Sequence, residues 1–277
     1  MKKVSLITIA LVSLLVCSCS GDVQKEESSV DDFTELADEE GFAEKHDEPK
    51  EVEIELKGEM VELAIEGGEL SRMYSRKKEG SNIYLIIIHE WWGLNDQIKL
   101  EADRLYDKFG NVNVLALDLY DGGLATTREK AMELMKGTEE ERIHEIIDAT
   151  IASLPEAAEV ATIGWCFGGG WSLRAALRAK ERTKAAVIYY GMPLEDVDEL
   201  KELNSDVLFI YGIYDEWISR GIVETFYDKM EEAGKKLQVK AYKADHAFAN
   251  PSSDRYIEEE AQKANEAAFN YLKERLN

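Results

Sequence analysis

The chain has 277 residues, of which 56 are acidic and 33 basic, for a formal net charge of −23. That length suffices for one sizeable core, and the acidic excess excludes nucleic acid and anionic lipid head groups as partners by simple repulsion. Three cysteines are too few for a disulfide framework, and the sequence shows no zinc-ligand spacing, P-loop, dinucleotide fingerprint or internal repeat.

The first segment, residues 1–18, reads as an export signal. Lys2 and Lys3 precede an apolar run from Val4 to Val16, followed by Cys17, Ser18 and Cys19. The run is too short to span a membrane comfortably. It resembles a bacterial lipoprotein signal, with small Ser18 directly before Cys19. That implies lipidation of Cys19 and an exported, membrane-anchored protein, periplasmic or at the cell surface. An ordinary secretory cleavage nearby is the alternative. If the segment is removed and Cys19 carries the lipid, Cys166 is left without an internal disulfide partner, which suits either chemistry or an inert buried position.

Residues 19–50 carry twelve acidic side chains and no apolar periodicity. They read as an acidic, extended tether, with His46 as a solvated bystander. Residues 51–277 form the folded domain. Glu51–Leu56 alternates like an edge strand, and 59–65 and 69–76 continue as strands. Ile83–Ile88 is continuously apolar, as expected of a central strand covered on both faces. Asn95 caps a helix running to about Phe109. A strand at 112–117, helices near 127–136 and 139–153, strands at 185–190, 207–211 and 237–242, and helices near 219–233 and 254–276 complete the order. His144 reads as an exposed helix residue. The alternation from Ile83 onward specifies an α/β fold with a mostly parallel sheet and helices on both faces. Sites in such sheets lie beyond the carboxyl ends of the strands, where Glu90, Tyr120, Cys166, Asp215 and His246 fall.

The most informative stretch is Ala161–Gly170. It reads as an apolar strand, a tight turn and a helix beginning near Phe167. Gly164 and Gly168 flank Cys166 at spacing two, the nucleophile-elbow pattern with Cys in place of Ser. Side chains at those two positions would clash across so sharp a turn. The following helix aims backbone N–H groups and its positive end at the sulfur, and the Phe167 N–H is one oxyanion donor. An acid and a histidine follow in the order seen in α/β hydrolases. Asp215 comes four residues past a strand end, with Glu216 and Asp245 as rivals, and His246 comes after the last strand. In this reading His246 moves the proton and Asp215 orients it. His89 is less favoured by position.

His89–Asn95, Asp118–Tyr120, Gly164–Gly169 and His246–Phe248, in that order, resemble the dienelactone hydrolase family over about residues 52–275. The resemblance implies an α/β-hydrolase fold, a Cys166–Asp215–His246 triad, no cofactor, and hydrolysis of enol-lactones or other small esters. It also implies that Glu90 contacts the resting thiol and helps switch it on. The backbone N–H of Trp91 would be the second oxyanion donor. Family members grip a substrate carboxylate with two Arg side chains. Arg128 fits the first position, Asn250 stands at the second, and Met132 replaces a contributing Tyr. Trp91, Trp92 and Trp217 suit an aromatic mouth, with placement in the core as the alternative; with Trp92 and Tyr120 as substrate contacts, the expectation is a small ester or lactone other than dienelactone itself, hydrolysed by a monomer. Two other readings are a non-catalytic surface lipoprotein that uses the fold as a binding module, and a thiol-redox or peptide-cleaving role.

Overall fold

The computed structural model describes residues 43, 46–50, 55–65, 68 and 70–276. The expected signal segment, most of the tether and residues 51–54 of the first expected strand lie outside them.

The described domain is an eight-stranded sheet. The strands are β1 (Glu59–Ala64), β2 (Leu70–Arg76), β3 (Ile83–Ile88), β4 (Asn113–Leu117), β5 (Glu159–Trp165), β6 (Thr183–Tyr189), β7 (Asp206–Gly212) and β8 (Leu237–Tyr242), in spatial order β1-β2-β4-β3-β5-β6-β7-β8. Pairings among β4, β3, β5, β6, β7 and β8 are all parallel. The antiparallel pairs β1–β2 and β2–β4 finish one edge.

The helices are α1 (Asp96–Phe109), α2 (Arg128–Gly137), α3 (Glu140–Ser153), α4 (Phe167–Arg178), α5 (Val197–Lys201), α6 (Arg220–Glu232) and α7 (Glu258–Arg275). Successive strand residues point to opposite faces. Leu85, Ile86, Ile87 and Ile88 are all inaccessible to solvent, so the centre of the sheet is covered on both sides, as its unbroken apolar run requires.

Local chemistry sets the helix ends. The Asn95 side chain accepts from the Ile98 amide at 3.1 Å, as an N-cap should. The last helix starts at Glu258, four residues later than its periodicity suggests. The intervening residues form turns instead, with Ser253 N donating to Asn250 O, Tyr256 N to Ser253 O and Ile257 N to Phe248 O. The short α5, capped by the Asp196 carboxylate, has too few residues to show a period. His144 is only partly exposed, because its ring packs edge-on against Trp171 at 5.3 Å.

The sheet grows one way from β3 to β4 and the other way from β3 to β5. The reversal leaves a crevice beyond the carboxyl ends of β3 and β5. Parallel register pairs Ile88 with Gly164, so Glu90 and Cys166, each two residues further on, emerge on adjacent strand ends.

Cys166 occupies the turn between β5 and α4 with φ 54° and ψ −122°, a conformation a non-glycine residue adopts only under constraint. The constraint is close backbone contact. A Cβ on Gly164 would lie 1.9 Å from the Gly168 carbonyl oxygen, and one on Gly168 would lie 2.3 Å from the His89 carbonyl oxygen. Backbone atoms cannot swing aside as a side-chain tip can. Gly168→Ala should therefore destabilise the domain by about 3 kcal/mol, the upper range for overpacking. The shift in the denaturant midpoint against Gly137→Ala, where a Cβ meets open space, measures it.

Candidate active site

The elbow places Cys166 beneath the loop that follows β8. In that loop His246 Nδ1 lies 2.7 Å from Asp215 Oδ2, with both side chains almost fully buried. The other Asp215 oxygen accepts from the amides of Trp217 and Ile218, each at 2.9 Å. A carboxylate so fixed directs one imidazole nitrogen and leaves the other, Nε2, toward the sulfur. His246 Nε2 is buried without a hydrogen-bond partner, and a ring nitrogen of His246 lies within 4.8 Å of Cys166 Sγ.

Burial opposes charge on His246, but the adjacent carboxylate of Asp215 and the sulfur outweigh it and raise its pKa well above the ordinary imidazole value. Burial also opposes charge on Asp215; the His246 charge and the three hydrogen bonds overcome it and hold the carboxyl low. Asp245, the rival acid, instead accepts from the His246 amide and faces Arg255.

The strip after β3 supplies the opposite wall. His89 is inaccessible to solvent. Its Nε2 accepts from the Leu119 amide at 3.1 Å, so Nδ1 carries the proton and donates to the Glu90 carbonyl at 2.6 Å. Burial, partly offset by that bond, lowers its pKa to about 4. His89 is thus a neutral brace between the two strand-end loops. Tyr120 packs against His89 and Phe167 at 4.8 and 5.5 Å, and Trp92 packs on Trp91 at 4.8 Å. The Trp91 and Phe167 amides directly follow Glu90 and Cys166.

Glu90 is bound differently from the arrangement the family resemblance implies. Asn250 Nδ2 donates to Oε2 at 2.5 Å, and the Tyr190 hydroxyl lies 3.4 Å from Oε1. Burial raises the Glu90 pKa to about 7, against the pull of His246 and these two hydrogen bonds. Asn250 is itself held by its turn, accepting on Oδ1 from the Ser252 amide and hydroxyl. Tyr190, which the sequence did not single out, sits at the end of β6 with φ 36°.

The side chain 3.5 Å from the sulfur is His46, through Nε2. The sequence reading of His46 as a solvated bystander is therefore corrected: the residue is 3 % exposed. Its ring lies 4.4 Å from that of Trp91 and 4.9 Å from that of His246. Residues 46–50 form a strap along the site. Arg128 Nε donates to the His46 carbonyl at 2.5 Å. Asp47 accepts from Ser253 and Arg255, each at 3.0 Å, and Lys50 meets Asp254 at 2.6 Å. Arg128 thus reaches the site, and there it holds strap backbone. A cleft of about 410 Å³ opens beside Glu90, Asn250 and Trp165.

The raised Glu90 pKa has a definite sign. A carboxyl moved from 4.5 in the unfolded chain to about 7 in the fold stabilises the folded state below the lower value, and the benefit is lost as pH rises through the higher one. The melting temperature of wild type relative to Glu90→Gln should therefore fall between pH 5 and pH 8. A constant difference across that range would show that Glu90 is charged throughout.

Residues 72–276 match the model of the dienelactone hydrolase family. The chain is 28% identical over 231 residues to "Protein usf" of Aquifex pyrophilus, covering 79% of this chain and 99% of that protein. It is 29% identical over 229 residues, 78% of this chain and 98% of the relative, to an Aquifex aeolicus (strain VF5) protein named as a candidate carboxymethylenebutenolidase. Among solved structures, a candidate dienelactone hydrolase from Klebsiella pneumoniae subsp. pneumoniae MGH 78578 superposes with a TM-score of 0.67. At 23% identity over 78% of this chain and 98% of that one, the likeness speaks for the fold alone. With its α/β fold and a family match across nearly the whole described domain, this chain belongs to the dienelactone hydrolase family.

Proposed function

We propose that the protein hydrolyses small carboxylic esters or lactones, with Cys166 as nucleophile and His246 and Asp215 as its proton relay. The 2.7 Å Asp215–His246 pair behind a cysteine on a strained elbow carries this reading. Cys166 Sγ attacks the carbonyl carbon with the shared proton on His246. The amides of Trp91 and Phe167 receive the oxyanion. His246 then protonates the leaving alcohol, giving a thioester on Cys166. Water attacks the thioester with His246 as base, which releases the acid and restores the thiol. The span of up to 4.8 Å between Sγ and the nearer His246 ring nitrogen closes as substrate binds, as such contacts tighten from their resting geometry.

Two positions favour a neutral acyl group. Arg128 is engaged with the His46 carbonyl and Asn250 with Glu90, so the residues aligned with the family's carboxylate grip are otherwise occupied. Lys2, Lys3, the apolar run to Val16 and Cys19 support export and lipid attachment at Cys19 as part of the same proposal.

Purified protein assayed on neutral aryl esters and on neutral and carboxylated enol-lactones should show activity that Cys166→Ala abolishes and Asp215→Asn lowers by about 10⁴-fold. Neutral substrates should have the higher kcat/KM. Full activity in Cys166→Ala would refute the mechanism. In cells, wild type should carry a lipid-sized mass increment on its mature N-terminal cysteine, and Cys19→Ala should lack it.

A further inference from the structure

The strap brings a third donor to a pair that already suits a metal ion. His46, Cys166 and His246 are 120 and 80 residues apart in sequence, yet Cys166 Sγ and one ring nitrogen from each histidine all lie within 4.8 Å of one another, and all three residues are buried. We propose that these three side chains form a site for a borderline divalent cation of the Zn²⁺ type, and that the bound ion pins the strap on the nucleophile and shuts the enzyme. The second half rests on the hydrolase reading given above; the first does not.

The donor chemistry selects the ion. One sulfur and two imidazoles suit Zn²⁺ and its soft neighbours, whereas Mg²⁺ and Ca²⁺ take oxygen ligands. Three protein ligands with a fourth position left to water is a familiar zinc arrangement.

The geometry is partly set. With arms of about 2.0–2.3 Å, neighbouring donors of a tetrahedral zinc site lie about 3.4–3.7 Å apart. The His46–Cys166 pair already stands at 3.5 Å. The remaining donor spacings, each at most 4.8 Å, need to shorten by at most about 1.4 Å to reach that range.

His246 is oriented as a ligand should be, once the ion displaces the proton from its Nε2 to solvent, as metal ligation requires. Its Nδ1 is tied to Asp215, which is tied in turn to two backbone amides, and its Nε2 is buried without a hydrogen-bond partner. A carboxylate on the far nitrogen is the usual support for a zinc-bound histidine. Trp91 walls the site at 4.4 Å from the His46 ring. The donors come from three separate parts of the chain, the strap, the elbow and the loop after β8, so one ion would join all three.

A substrate carbonyl and the cation require the same sulfur, so binding of one excludes the other. Hydrolysis needs the His46 ring turned away from Cys166, with its backbone still held by Arg128, and the ion keeps the ring on the sulfur.

The test uses the full-length chain, stripped of metal, titrated with ZnCl₂ against a chromophoric chelator. Wild type should bind one equivalent of zinc and ignore Mg²⁺. His46→Gln should weaken that binding by at least about tenfold, and Cys166→Ala should abolish it. Cys17 and Cys19 are the same in all three proteins, so differences report on the site. Ester hydrolysis by wild type should be inhibited by zinc at a concentration at least about tenfold lower than in His46→Gln, and a chelator should restore it. Equal zinc affinity in wild type and His46→Gln, or retention of the equivalent in Cys166→Ala, would overturn the proposal. If wild type hydrolyses no ester, the chelator titration still decides the metal site. If hydrolysis is intact while zinc affinity is indifferent to His46, the site fails and the hydrolase reading stands.

Discussion

The arrangement depends on one backbone contact. At Gly168 the first turn of α4 rests against the carbonyls of Ile88 and His89 at the end of β3, with no side chain between them. That approach brings the start of α4 within reach of the adjacent strand end and turns the chain at Cys166 into a positive-φ conformation. The same contact puts Glu90 and Trp91 across from the sulfur. A longer connection would relieve the strain and separate the two walls of the site.

Electrostatics then divides labour among buried groups of similar kind. Two carboxyls lie near one imidazole. Asp215 is bonded to His246 and two amides and stays ionised, whereas Glu90, with an amide and a phenol as partners, is driven up by burial to about 7. Two histidines are divided in the same way. His246, beside a carboxylate, retains its proton, while His89, between a backbone amide and a carbonyl, is held neutral. Partner identity, rather than depth of burial, decides the charge state in each pair.

Most of the fold was legible in the sequence because its signals are local. The continuous apolar run of β3, the Asn95 cap and the Gly-x-Cys-x-Gly turn each specify their own geometry. β8 falls at the bounds its alternating pattern suggests, and the central helices fall within a residue or two of theirs. The spacing of acid and histidine after successive strands likewise placed Asp215 and His246 at one sheet end. His46 could not be found in this way. It sits among charged residues whose composition favours solvent, and what buries it is a ring, a sulfur and a guanidinium contributed by distant residues. Asn250 shows the same limit. Its departure from the expected Arg was visible, but its bond to Glu90 depends on turns between β8 and α7 that carry no periodicity.

The strap and the Asp215–His246 pair are held by different kinds of ion pair. Asp215 and His246 are sealed from solvent, whereas Arg255 reaches from Asp47 on the strap to Asp245 beside His246 with all three side chains partly accessible, and Lys50–Asp254 is openly exposed. Mobile ions screen accessible pairs and leave sealed ones nearly untouched. Ionic strength therefore acts selectively on this molecule: it loosens the grip of residues 46–50 while leaving the buried Asp215–His246 pair intact.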